Sequence, residues 1–188
     1  LLVGLPLPVT AIQILWINLV TDTAVVLPLG LEPAEDGYMK RPPRAPKEQL
    51  LSKILLSRVV FVALTMAVVT VVIVAVLKQN GHEIAYIQTV AFMALIAAQW
   101  TNAFNARSEY KSSFSRIKNV NHSMTIGLLI AISLQVLVMF GPLRTVFDIQ
   151  EVPVSTLIIS SGIMVVSIVA VAEVHKLITR KFFLSNSV

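Results

Sequence analysis

Residues 16–46 read WINLVTDTAVVLPLGLEPAEDGYMKRPPRAP, an apolar tract that carries Asn18, Thr21 and Asp22 before it runs into a polar, proline-rich segment. A charged side chain at the bilayer centre costs roughly 2.5–3.5 kcal/mol on insertion scales. A carboxylate kept there, with an amide and a hydroxyl at helical offsets, points to a task. Whether the tract is a membrane helix depends on the chain around it.

The chain has 188 residues, of which 56% are hydrophobic and 13% charged, and its mean hydropathy is +0.81. Soluble domains are roughly a quarter charged, so the composition is that of an integral membrane protein. The apolar stretches recur along the whole chain, which a signal peptide does not explain. With about 20 apolar residues needed per crossing, five spans are expected, near residues 8–29, 54–77, 84–106, 122–141 and 152–174. The fold class is therefore an all-α bundle of five transmembrane helices, a single membrane domain over residues 1–188. The opening LLVGLPLP has the composition of an upstream membrane segment entering a turn. It is read as the remainder of a removed helix, making the chain a fragment of a larger protein.

Charge gives the direction. Of the 15 Lys and Arg residues, only Lys78 and Arg144 fall on one side of the five spans. The others lie in the 40–58 region, the 107–118 connection and the C-terminal tail. Short loops rich in Lys and Arg stay in the cytoplasm, so the N-terminus is expected outside and the C-terminus inside. The net charge of +5 thus reports orientation in a lipid bilayer and not a nucleic-acid partner. The absence of cysteine excludes disulfides, thiolate metal sites and a cysteine nucleophile.

In an α-helix Asn18, Thr21 and Asp22 share one face, with Gln13 a less well aligned fourth group. Amide, hydroxyl and carboxylate oxygens suit a hard cation such as calcium. Main-chain carbonyls could join them where the helix is irregular, and Pro28 and Gly30 would loosen its exit. The plainer reading is interhelical hydrogen bonding, about 0.6 kcal/mol on average, which suits Asn18 or Thr21 but cannot offset a buried Asp22. The third span repeats the pattern in QWTNAFNARS, with Gln99 and Asn102 facing one way. The two polar faces would satisfy each other best if they met, as a cation site or as packing. Asn105 is read as a cap near the headgroups, Glu173 as a solvated helix end, and Ser160, Ser161 and Gly162 as close-packing residues. Trp16 and Trp100 are assigned no chemistry.

The segment ILWINLVTDTAVVLPLGLEPAEDGYMKRPPR closely resembles the sixth membrane helix and following cytoplasmic loop of P-type ATPases of the calcium-pump type. The later spans follow the family's order through its tenth helix. The resemblance implies that Asn18 and Asp22 are ligands of the transported cation, calcium first, with Thr21 contributing beside them. Gln99 stands where two-calcium pumps have a glutamate, which resembles the secretory-pathway and plasma-membrane types with one ion per cycle. Asn102 matches the asparagine that follows. Val25 stands where many calcium pumps have a proline. The 33–44 loop, with Lys40, Arg41 and Arg44, is implied to couple the ion site to the phosphorylated domain. The partners implied are the first five membrane helices and the cytoplasmic domains of the same polypeptide, which would bind Mg-ATP. The chain alone carries no phosphorylation sequence. The implied location is a cell membrane, multi-pass, most simply the plasma membrane. A free-standing cation carrier or channel subunit remains the alternative function.

Overall fold

In the computed structural model, residues 4–31, 53–107 and 122–183 are described. They form α1 (Ala11–Trp16), a π-helical segment (Ile17–Val26), α2 (Leu27–Leu29), α3 (Lys53–Gln79), α4 (Ile84–Ala106), α5 (His122–Phe140) and α6 (Val154–Phe183). There is no strand among the described residues. The first three elements make one continuous span, Ala11–Leu29, so among the described residues five helices are long and apolar enough to cross a membrane. The 27 residues of α3 reach about 40 Å at 1.5 Å per residue, more than a hydrocarbon core of about 30 Å. The last helix runs past the expected 174 to Phe183, since neither Gly nor Pro occurs from 175 to 183.

Local chemistry sets the ends. Thr10 caps α1 in a reciprocal box: its hydroxyl accepts from the Gln13 N–H, and its own N–H donates to Gln13 Oε1 at 3.0 Å. That satisfies two of the donors a helix start leaves open. Gly81 ends α3 with φ +77°, and the His82 N–H returns to the Leu77 carbonyl while the Gly81 N–H returns to Lys78. This pair of bonds is the Schellman closure, whose left-handed position favours glycine. The chain therefore turns back into α4 within a few residues.

Contacts between the ends give the topology. At one end of the bundle Lys78 Nζ donates to the Gly4 carbonyl, Gln88 Nε2 to Leu7, and the Tyr86 hydroxyl meets Thr156. The 141–153 connection closes the same end, where Arg144 pairs with Glu151 at 3.0 Å. At the other end Ser57 bonds His175, and Lys176 reaches the Asn105 carbonyl. The first span, α4 and α6 thus run one way and α3 and α5 the other. The first span begins at the Arg144 end and α6 finishes at the Arg58 end.

α4 is the central helix. Half of its spanning window is buried, against 22% for α3 and α6, and it packs on α6, α3 and the π segment. Its buried side chains include Ile87, Val90, Ala91, Phe92, Ala94 and Ile96. α3 turns Leu56, Val59, Phe61, Leu64, Val68 and Val72 outward. An apolar exterior of this extent is what a helix facing lipid presents.

Candidate functional site

The first span does not keep α-helical winding through its polar residues. After one and a half turns from the Thr10 cap it passes into i→i+5 hydrogen bonding over Ile17–Val26, and it recovers only at Leu27. Long π segments are rare and concentrate at functional sites. The wider turn holds more residues than the 3.6 of an α-helix, so an offset of four stays on one face better than an offset of three. Position 22 therefore remains over position 18, and position 21 rotates away. The irregularity lies at the polar residues themselves, upstream of the expected loosening at Pro28 and Gly30, and it arises without a proline at Val25. The side chains of Thr21 and Asp22, and all of Lys40, Arg41 and Arg44, lie outside the described residues.

Two helices support the π segment. α5 comes close at Gly127, where an added Cβ would run into the Ala24 carbonyl oxygen and lie 2.9 Å from Pro28 Cγ. Only a residue without a side chain permits that approach. α4 packs against the same segment, with Val25, Ala103 and Met124 buried in one cluster to which Ala24 and Trp100 add. Gln99 and Asn102 flank Trp100 and Ala103 on α4 and are half-buried, while Asn18 is exposed. The helices that carry the two polar sets thus meet directly. Among the described residues, the amides of Asn18, Gln99 and Asn102 make no hydrogen bond. Interhelical packing bonds from these three side chains are therefore not what holds the described bundle.

Other polar groups do that work. Gln13, the possible fourth member of the site, is fully buried. Its oxygen accepts from the Thr10 N–H, and its Nε2 donates to the Phe147 carbonyl at 3.0 Å. With those bonds it is a fastening of the helix start. Gln135, which the sequence reading passed over, is buried on α5 and accepts from Trp16 Nε1 at 3.0 Å. A lone amide in LLIAISLQVLVMF was the available signal. Trp16, given no chemistry beforehand, is therefore a hydrogen-bond donor, and its ring meets Phe147 edge-on at 4.9 Å.

Three expectations at the Arg58 end and on α6 change. Asn105 is 2% exposed and not a headgroup cap; its carbonyl takes the Lys176 ammonium at 3.2 Å. A cation at the carbonyl end of α4 is favoured by the helix dipole, which draws Lys176 inward. Glu173 is not simply solvated, since it stands 4.0 Å from Lys176 with its side chain 21% exposed. Gly162 faces open space, with nothing within 4 Å of an added Cβ. The close glycine approach belongs to Gly127.

Chemically, the first span carries oxygen-bearing residues on an irregular stretch of backbone, and that stretch packs against α4, the helix that carries Gln99 and Asn102. Such a set suits hard cations, which take carboxylate, amide and main-chain oxygens together. Among the described residues no group of three His, Asp or Glu side chains comes together.

Comparison with known proteins places the chain in a family. The family described as "Cation transporting ATPase, C-terminus" matches residues 6–178. A calcium-transporting ATPase of Bacillus subtilis is 39% identical over 149 residues, 78% of this chain and 17% of that protein. Calcium-transporting ATPase 1 of Schizosaccharomyces pombe is 31% identical, covering 83% of this chain and 18% of its own length. The human calcium-transporting ATPase type 2C member 1 is 28% identical over 180 residues, 95% of this chain and 20% of that protein. The chain thus spans about a fifth of the length of these relatives.

Proposed function

Since the chain belongs to the cation-transporting ATPase C-terminal family, we propose that it is the second membrane half of an ATP-driven calcium pump. Its role is to supply part of the ion site and to transmit the state of that site to the rest of the polypeptide. The observation that carries this reading is the π-helical winding of Ile17–Val26, which coincides with Asn18, Thr21 and Asp22. A hydrogen-bonded packing motif needs no such winding; a site that recruits main-chain oxygens does.

In this reading Asn18 and Asp22 are ligands, Thr21, turned off their face by the π winding, contributes to a neighbouring position, and Gln99 and Asn102 complete the α4 side. The exposed Asn18 amide supports the presence of further membrane helices, because a bare amide is costly against lipid. Those would be the first five spans of the complete pump. Mg-ATP would be hydrolysed in its cytoplasmic domains, with the 33–44 loop and Lys40, Arg41 and Arg44 as the contact. The excess of Lys and Arg at the Arg58 end supports a cytoplasmic placement of that end. The Arg144 end then faces outside or the organelle lumen.

The test is ion-dependent phosphorylation of the complete pump. Asp22→Asn keeps the shape and one oxygen but loses the charge that offsets desolvation of a divalent ion. Calcium-dependent phosphorylation should be lost. Phosphorylation with unchanged calcium affinity in that variant would remove Asp22 from the site.

A further inference from the structure

The upper part of the first span is gripped from three directions just before its winding changes. Trp16 is the last residue of α1, and its indole N–H donates to Gln135 Oε1 on α5 at 3.0 Å. On its other side the ring rests edge-on against Phe147, 4.9 Å between centroids. Nearly a turn earlier, Gln13 Nε2 donates to the Phe147 carbonyl. The connection that carries Phe147 is itself fixed: Arg144 Nε donates to the Ile149 carbonyl, and the Gln150 N–H donates to Thr89 Oγ1 on α4. Gln135 also turns its Nε2 toward Met93 Sδ of α4 at 3.9 Å. One buried amide thereby keys the first span, α4 and α5 at a single level.

An unpaired amide is costly in an apolar environment. Gln135, 3% exposed, is therefore held to its partner. The partner is the residue that precedes the π segment, and Asn18 follows two positions later. Above Trp16 the span is α-helical, capped and fastened; below it the winding is π and its single side-chain amide, Asn18, is unbonded among the described residues.

We propose that Gln135 is a positioning residue for the ion site: through Trp16 it fixes the rotational phase of the first span where the π segment begins. Changes of winding during transport are then confined to Ile17–Leu29, and Asn18 is presented in one register. Gln135 touches no ion. The inference rests on the reading of Asn18 and Asp22 as ligands.

The experiment uses the complete pump in sealed vesicles, with Gln135→Leu, Trp16→Phe and the double variant, and Asp22→Asn as a separate control. Two quantities are read: the calcium concentration for half-maximal phosphorylation from ATP, and the phosphoenzyme formed from inorganic phosphate without calcium. The second counts folded pump and does not depend on calcium. Each single variant should weaken calcium activation about two- to tenfold, the size of one net hydrogen bond, with phosphate-derived phosphoenzyme intact. The double variant should be no worse than Gln135→Leu, because both changes break the same bond. Unchanged calcium activation in the single variants, or additive losses in the double, overturns the proposal. Should Gln135→Leu fail to accumulate, Trp16→Phe, which keeps an aromatic ring but removes the N–H donor together with part of the indole, decides alone. If Asp22→Asn is without effect, the ion-site reading itself has failed; if Asp22→Asn is inactive while the other variants behave as wild type, only the positioning role has.

Discussion

Gly127→Ala tests the packing beneath the candidate site with the smallest possible change. The added methyl would sit 2.9 Å from Pro28 Cγ and 3.1 Å from the Ala24 carbonyl carbon, and closer still to the Ala24 oxygen. Ordinary contact begins at 3.4 Å, so Pro28 must retreat by about 0.5 Å and the Ala24 peptide by more. Neither is the loose end of a flexible side chain. Overpacking of this kind costs about 1–3 kcal/mol, equivalent to roughly 5- to 150-fold in an equilibrium between two packed states. Ala24 is two residues from Asp22, so the strain falls on the π segment. The assay is thermal inactivation of the purified complete protein, together with the calcium dependence of its phosphorylation. Gly162→Ala is the control: it meets open space and should be neutral or slightly stabilising, since alanine is the better helix former. If Gly127→Ala matches Gly162→Ala in both measurements, the close approach of α5 to the π segment does not exist in the protein.

Other outcomes follow from the proposed function and from single contacts in the fold. With Gln99 neutral, calcium activation should show a Hill coefficient near one, because a single site has no source of cooperativity; clear sigmoidal activation of the wild type would contradict this. Gln99→Glu should restore a charge on the α4 side and tighten divalent binding, read from the same activation curve. Reversing Arg41 and Arg44 to Glu should slow phosphorylation from ATP while leaving equilibrium calcium affinity nearly intact; equal loss of both would indicate misfolding. Thr89→Val removes the acceptor of the Gln150 N–H and should destabilise the protein by about 1–3 kcal/mol. Thr89→Ser keeps the oxygen and should recover most of that loss, as measured by thermal inactivation.

Much of the fold was legible because lipid imposes a simple rule. A crossing is either a long apolar helix or a short strand of a closed barrel. Runs of about 20 apolar residues fit only the helix, so the five spans and their alternation could be read from runs of side chains. The same rule made Asn18, Thr21 and Asp22 conspicuous, since a polar residue in hydrocarbon is costly enough to need a reason. Glu173 and Asn105 were misjudged because depth near a helix end cannot be read from hydropathy. Lys176 lies 71 positions from the carbonyl that buries it.

By itself the sequence determined the class of the protein, its five crossings and the oxygen-donor chemistry of the first span. Those depend on local composition and on spacing within one helix. Only the tertiary structure decided which amides fasten and which are left unbonded. Gln13 finds Phe147 across 134 positions and Gln135 finds Trp16 across 119, while Asn18 and Gln99, amides of the same chemistry, make no bond among the described residues. Gly127 and Gly162 are equally isolated glycines in apolar runs, yet one lies against a backbone and the other faces open space. The π winding belongs to the same class, for no proline at Val25 announces it, and α4 and α5 pack on it from elsewhere in the chain. Helix phase and separation are set by all the neighbours at once, and a one-dimensional pattern carries no record of them.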